Sequence, residues 1–250
     1  MHKVSIITVC YNSASTIEST IQSVLNQDYK NIEYIVIDGK STDATLDIIE
    51  KYKTQIHTIV SEKDKGIYDA LNKGIALATG DIVAILHADD FYNSSTIISE
   101  VVQLFEQENC DCVYGDLQYV DRSNTDIVKR NWISGKYIKE NFLKGWMPPH
   151  PAFFAKRECY TKFGVFNLSL KSAADYELML RFLYKNNCSV AYLPKTLVKM
   201  RVGGKSNVTL ANRIKANRED KMAWILNDLK PGMLTFIRKP LSKLGQFLNN

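Results

Sequence analysis

Three short polar clusters stand out early in the 250-residue chain: Cys10-Tyr11-Asn12, Asp38-Gly39-Lys40-Ser41-Thr42-Asp43 and His87-Ala88-Asp89-Asp90. Carboxylates ligate hard divalent cations and accept from N–H and O–H groups, while hydroxyls and amides bond sugar and phosphate oxygens. Loops of this composition at one sheet edge suit a ribose, a base edge and a metal-bound diphosphate. A further carboxylate, Asp175, opens a helical stretch whose apolar Leu178, Met179, Phe182 and Leu183 would anchor it in a core. Taken alone, Asp175 reads equally as an acid favoured by the helix macrodipole or as a general base.

The elements that must position these groups are legible in the apolar spacing. Strands are predicted at Val4 to Val9, Tyr34 to Ile37, Ile56 to Val60 and Ile82 to Leu86, all rich in β-branched or apolar residues. Between them Ile17, Ile21, Val24 and Leu25 share one helical face. Ser41-Thr42-Asp43 offers caps for a helix turning Leu46, Ile49 and Tyr52 inward, and Ile67, Leu71, Ile75 and Ala78 form another amphipathic helix that Gly80 ends. Near-continuous apolar strands alternating with helices predict an α/β fold with a mostly parallel sheet flanked by helices. Such sheets bind ligands at the carboxyl ends of their strands, which is where the three clusters fall.

Composition narrows the classes. With 45% hydrophobic, 24% charged and 10% aromatic residues, the chain is a soluble globular protein with a sizeable core, not a disordered or disulfide-stapled one. Cys10, Cys110, Cys112, Cys159 and Cys188 lack C-x-x-C spacing and read as buried reduced thiols of a cytoplasmic protein. No G-x-G-x-x-G follows the first strand, and Gly204-Lys205-Ser206 is no phosphate loop because Lys199 stands where its first Gly belongs. Met1 to Cys10 reads as a strand rather than a signal peptide, and no apolar stretch reaches the ~18 residues of a membrane span. The net charge of +5 is uneven: residues 201–250 hold ten Lys or Arg against three Asp or Glu. No basic motif with interleaved aromatics lies in the sheet region, so nucleic acid is not an expected partner.

The motifs together resemble the family 2 glycosyltransferases. The resemblance is carried by VSIITVCYN from Val4 to Asn12, IDGKSTDAT from Ile37 to Thr45, SEKDKGIYDALNKGI from Ser61 to Ile75, and HADD. It continues through His150-Pro151-Ala152-Phe153-Phe154, Gly164-Val165-Phe166-Asn167 and the ADYELMLR run from Ala174 to Arg181. It spans roughly Lys3 to Ser206 and implies an inverting enzyme of the GT-A fold with a nucleotide-sugar donor, of the bacterial surface-polysaccharide type. The expected organisation is a catalytic domain at 1–206, with a nucleotide-binding half at 1–90 and an acceptor half at 91–206, followed by a basic amphipathic helical tail at 207–250.

What the resemblance implies for single residues is specific. The donor would be lined by Val9, Tyr11, Asn12, Asp38, Asp64, Asn72, Lys73, Ala88 and Asp89. Mn²⁺ or Mg²⁺ would be held by Asp89, matching the last Asp of the family's D-x-D, with Asp90; the competing reading makes these caps for a helix beginning near Ser94 and Ser95. His87 replaces the first Asp of that motif and would contact ribose or phosphate. Asp38 would accept from the imide N–H of a uracil, with Tyr11 packing nearby, or else form a turn before Gly39. Lys40 stands where the family usually has Gly, which requires a negative φ there. Asp175 matches the catalytic Asp and would serve as the base. His150 and Trp146 would border the acceptor, Trp146 by stacking on sugar or by packing the second half.

For the tail, the polar and basic helix from Ala211 to Leu229 and the basic amphipathic run from Met233 to Leu248 suit an anionic membrane surface on the inner face of the cell membrane. The alternative is docking on the protein's own body or on a twin subunit. The acceptor would be a glycan or a lipid-linked glycan. Two other classes stand beside this one: a sugar nucleotidyltransferase, whose Gly-rich, Arg-containing loop is absent, and a non-catalytic nucleotide-sugar or glycan-binding relative.

Overall fold

A computed structural model describes residues 1–203, 210–232 and 235, with backbone alone for 210–216. The chain runs β1 (Val4–Cys10), α1 (Ile17–Leu25), β2 (Ile32–Asp38), α2 (Thr45–Lys51), β3 (Thr58–Ser61), α3 (Ile67–Leu77), β4 (Ile82–Ile85) and β5 (Asp90–Tyr92). It continues through α4 (Ile97–Glu108), β6 (Cys112–Val120), β7 (Val128–Trp132), β8 (Phe153–Lys156), α5 (Arg157–Phe163), α6 (Ala174–Met179), β9 (Val190–Arg201) and α7 (Leu210–Leu226). The predicted strand and helix alternation of the first ninety residues is present, with ends shifted by a few residues.

The strands form one nine-stranded sheet ordered β3-β2-β1-β4-β8-β6-β9-β5, with β7 paired to β6. Pairing is parallel from β3 through β4 and again between β6 and β9. In the second half β8 runs antiparallel between β4 and β6, and β7 and β5 are antiparallel to β6 and β9. Every residue of β1 is buried, as a strand covered on both faces requires. One face packs Ile7, Val9, Ile35 and Ile37 under α3, α5 and α6; the other packs Val4, Ile6, Tyr34 and Val36 under α1, α2 and α4.

Helix α3 differs in detail from its predicted face. Ala70, Leu71, Gly74 and Ile75 are buried, whereas Ile67 is 48% exposed. A Cβ on Gly74 would lie 2.4 Å from Ile7 Cγ2, so the helix packs closely on β1 there, while Ile67, on the same face but at the first residue of the helix, lies beyond that contact. That close approach carries Tyr68 and Asn72 toward the carboxyl end of the sheet.

The segment beyond residue 206 is not set apart from the body where it is described. Trp224 of α7 is fully buried, its Nε1 donates to Tyr176 Oη at 2.9 Å, and Asn227 Nδ2 donates to Glu177 Oε1 at 2.9 Å. Glu219 accepts from the backbone N–H groups of Lys171 and Ser172 at 2.9 and 2.7 Å. The alternative of docking on the protein's own body therefore holds for α7, because its one tryptophan fills a gap behind α6. The amphipathic run expected from Met233 to Leu248 lies outside the described residues, apart from the buried Thr235, whose hydroxyl donates to Leu143 O at 2.5 Å. Among the described residues no helix is long and apolar enough to cross a membrane.

Candidate functional site

The site forms where β1, β2 and β4 end. Cys10 pairs with Asp38 at the last register position of β1 and β2, so the first two polar clusters emerge side by side. The loops are stitched together: Asn12 N–H donates to Ser41 Oγ at 2.8 Å, Thr42 N–H to Asn12 Oδ1 at 2.8 Å, and Ser13 N–H to Thr45 Oγ1 at 2.8 Å. Val9 and Ala88 are buried in the sheet and its continuation, whereas Tyr11 is 53% exposed at the mouth.

Asp38 does not offer a free carboxylate. It is fully buried, and it accepts from Ser41 N–H at 3.0 Å, Ser41 Oγ at 2.5 Å, Ser61 Oγ at 2.7 Å and Cys10 Sγ at 3.7 Å. A carboxylate has about four lone-pair sites, so its acceptor capacity is spent inside the fold. The turn-forming alternative accounts for these contacts. Lys40 is corrected: its φ is +63°, the left-handed region that costs a non-glycine residue roughly 1 to 2 kcal/mol. Gly39 is needed for space instead, since a Cβ would meet Asp64 Oδ2 at 3.0 Å and Tyr11 at 3.5 Å.

Asp64, half-buried, pairs with Lys73 Nζ at 2.6 Å, and Lys73 also reaches Glu62 at 2.8 Å and Asp69 at 3.7 Å. The hydrogen bond to Asp64 leads the contacts that hold the Lys73 ammonium above its usual range. Asn72, expected beside the donor, spends its amide elsewhere: Nδ2 donates to Phe166 O and Oδ1 accepts from Phe166 N–H, both at 2.9 Å. It is a clamp on the loop before α6, a contact that local sequence could not supply because its partner lies 94 residues away.

Asp89 and Asp90 part company. Asp90 begins β5, is fully buried, and neither carboxylate oxygen has a hydrogen-bond partner. Burial, then the neighbouring Asp89 charge, pushes its carboxyl well above the usual range, while the Arg201 charge opposes the shift. Asp89 stays half-buried on the turn between β4 and β5. Its carbonyl accepts from Arg201 Nη1 at 2.8 Å; Arg201 Nη2 also donates to Ser19 Oγ at 3.0 Å, and its guanidinium lies 4.7 Å from the centre of the Phe91 ring. The capping alternative is excluded, since Thr96 precedes α4. Sequence reading missed Arg201, which sits at the far end of β9.

His87 is near enough to both Asp89 and Asp175 to be acted on by their charges. Burial, then the nearby His150, lowers its pKa to about 4 against the opposing charges of Asp89 and Asp175. His150 is likewise held at about 4 by burial, its ring 5.7 Å from that of His87 and edge-on to Phe166 at 5.6 Å. Both imidazoles are neutral at pH 7. Asp175 sits half-buried in the first turn of α6, and Tyr68 Oη donates to its Oδ1 at 3.2 Å. The predicted anchors Leu178, Met179, Phe182 and Leu183 are all buried behind it. Trp146 belongs to the packing alternative: its Nε1 donates to Ser134 O at 3.0 Å, and its ring lies within an aromatic cluster with Tyr114, Tyr137 and Phe142.

Among the described residues no group of three or more His, Cys, Asp or Glu side chains forms a metal cage. One or two carboxylates with the rest of the shell from substrate phosphates and water is how Mg²⁺ and Mn²⁺ are commonly held, and Asp89 fits that arrangement.

This sheet and site define a GT-A fold. The structure superposes on the S. aureus TarS 1-349 complex with UDP-GlcNAc at a TM-score of 0.69 and 19% identity, covering 99% of this chain and 72% of that one. It matches the mannosyltransferase PcManGT from Pyrobaculum calidifontis, in complex with GDP-Man and Mn2+, at 0.68 and 19%, with 99% and 72% covered. The model of glycosyl transferase family 2 matches residues 5–164, and the chain belongs to that family. It is 39% identical over 189 residues to the Escherichia coli UDP-Glc:alpha-D-GlcNAc-diphosphoundecaprenol beta-1,3-glucosyltransferase WfaP, covering 74% of this chain and 72% of the relative. It is 32% identical over 181 residues to a Mycobacterium bovis PGL/p-HBAD biosynthesis glycosyltransferase, covering 71% and 68%.

Proposed function

We propose that the chain is an inverting glycosyltransferase that moves a sugar from a UDP-sugar to a hydroxyl of a glycan or lipid-linked glycan, assisted by a divalent metal. The observation that carries this reading is that Asp89, on the turn after β4, and Asp175, in the first turn of α6, both act on His87 through their charges. Relatives described as using UDP-Glc or bound to UDP-GlcNAc support a uridine donor, and the Mn2+ complex of a structural neighbour supports the metal. A diphosphoundecaprenol-linked acceptor in one relative supports a lipid-linked acceptor and work beside a membrane.

Asp89 would hold the metal, which when bound neutralises charge on the departing diphosphate. Arg201 fixes the backbone that presents Asp89. Asp175 takes the proton of the acceptor hydroxyl as that oxygen attacks the anomeric carbon from the side opposite the leaving group. Tyr11, exposed beside Gly39 and Asp64, flanks the nucleotide. Neutral His87, standing where a carboxylate is usual, adds no negative charge against the diphosphate.

The test is nucleotide release from a panel of UDP- and GDP-sugars, with MnCl₂ and with EDTA. Metal-dependent UDP release, lost at least ~100-fold in Asp175→Asn, is expected; that loss corresponds to ~2.7 kcal/mol of transition-state stabilisation. Near-full turnover by Asp175→Asn would remove it as the base. No metal-dependent release from any donor would favour a nucleotide-sugar-binding relative without chemistry.

A further inference from the structure

Tyr68 lies in the first turn of α3, and its phenol reaches across 107 residues of sequence to donate to Asp175 Oδ1 at 3.2 Å. The ring is held independently of that bond. It stacks on Phe166 with centroids 5.5 Å apart and planes at 24°. Phe166 is in turn gripped through both its backbone N–H and its carbonyl by Asn72, at 2.9 Å each. Tyr68 and Asn72 are four residues apart on α3, so a single helix face supplies both the phenol and the clamp on its stacking partner. The height of that face is set by Gly74, which lets α3 settle onto Ile7.

The electrostatics suit a permanent donor. Burial, then the Asp175 charge, pushes the Tyr68 phenol far above its ordinary range, so it keeps its proton at any working pH. Tyr119 from β6, whose phenol burial also raises, is a second protonated group near Asp175.

We propose that Tyr68 is the positioning residue for the general base, its phenol holding one carboxylate oxygen of Asp175 so that the other takes the proton of the acceptor hydroxyl. The inference rests on the reading of Asp175 as base. In the step the acceptor O–H bond breaks, its proton passes to the free carboxylate oxygen, and the phenol O–H stays intact. A carboxylate anchored through one oxygen has lost its side-chain rotation before the substrate arrives, so that ordering is not charged to the reaction.

The full chain with UDP-glucose, MnCl₂ and water as acceptor supplies the assay, and Tyr68→Phe keeps the stack while removing the donor. Its kcat should fall about tenfold or more, with KM for UDP-glucose within about twofold and the melting temperature near wild type, the pattern of an interaction made in the transition state. An unchanged kcat, or a KM rise alone, overturns the proposal. A readout free of turnover is the [¹³Cζ]tyrosine NMR signal of Tyr68, identified by its loss in Tyr68→Phe: it should move in Asp175→Asn, and a signal that stays in place overturns the proposal. Wild-type turnover by Asp175→Asn would instead sink the base reading, whatever Tyr68→Phe does.

Discussion

Arg201 and Asp89 stand 112 residues apart, and the guanidinium of the first donates to the backbone carbonyl of the second at 2.8 Å. Through this bond the end of β9 closes the turn that presents Asp89. Arg201→Met keeps an apolar stem but removes the guanidinium from the Phe91 ring and from the Asp89 carbonyl. A loss of about 1.5 to 3 kcal/mol in urea unfolding is expected, together with a raised KM for the nucleotide-sugar in Mn²⁺. An unchanged KM would detach Arg201 from the site.

The two adjacent carboxyls of the HADD stretch should behave differently. Asp89→Asn is expected to abolish the difference between MnCl₂ and EDTA in nucleotide release. Asp90→Asn, replacing a fully buried carboxyl whose oxygens meet no donor by an amide of the same shape, should keep that difference. Isothermal titration of Mn²⁺ with UDP into each variant checks the pair, and a loss of the metal response in Asp90→Asn alone would reverse the assignment.

Trp224 is a load on the whole molecule rather than on the tail. It fills a buried position behind α6 and donates to Tyr176 Oη. Trp224→Ala should cost about 3 to 5 kcal/mol, and a chain ending at 206 should melt well below the intact one, as read by circular dichroism. Equal melting of the two chains would show that α7 does not support the body.

His150 links stability to pH. Its folded pKa, about 4, lies below the unfolded value of 6.5 because burial disfavours the charged ring. The neutral ring therefore contributes its full stability above pH 6.5, and that contribution is lost as pH falls from 6.5 toward 4. Between pH 7.5 and 5, urea unfolding should show a loss on the order of 1 to 2 kcal/mol from this residue. His150→Phe should remove that portion of the pH dependence; an identical dependence in the variant would assign it to other groups.

Much of this was present in local sequence. The strands and helices of the first ninety residues follow from apolar periodicity, because burial of a strand on both faces or of a helix on one leaves a pattern within ten residues. The clusters at strand ends, Asp175 ahead of its apolar anchors, and the family itself were legible for the same reason: each is a short run of neighbouring residues. Sequence alone thus determined the fold class, the end of the sheet that carries the site, and Asp89 and Asp175 as its candidates.

The tertiary structure decided which of those groups are free to act. Asp38 is consumed by Ser41, Ser61 and Cys10, Asn72 by Phe166, and Asp90 by burial, while Arg201 and Tyr68 enter from distant strands and helices. It also decided that α7 belongs to the body, through one tryptophan. The physical reason is common to all: a side chain's availability depends on the lone pairs and solvent left to it after packing, and those are set by partners up to 182 residues away, where no local pattern records them.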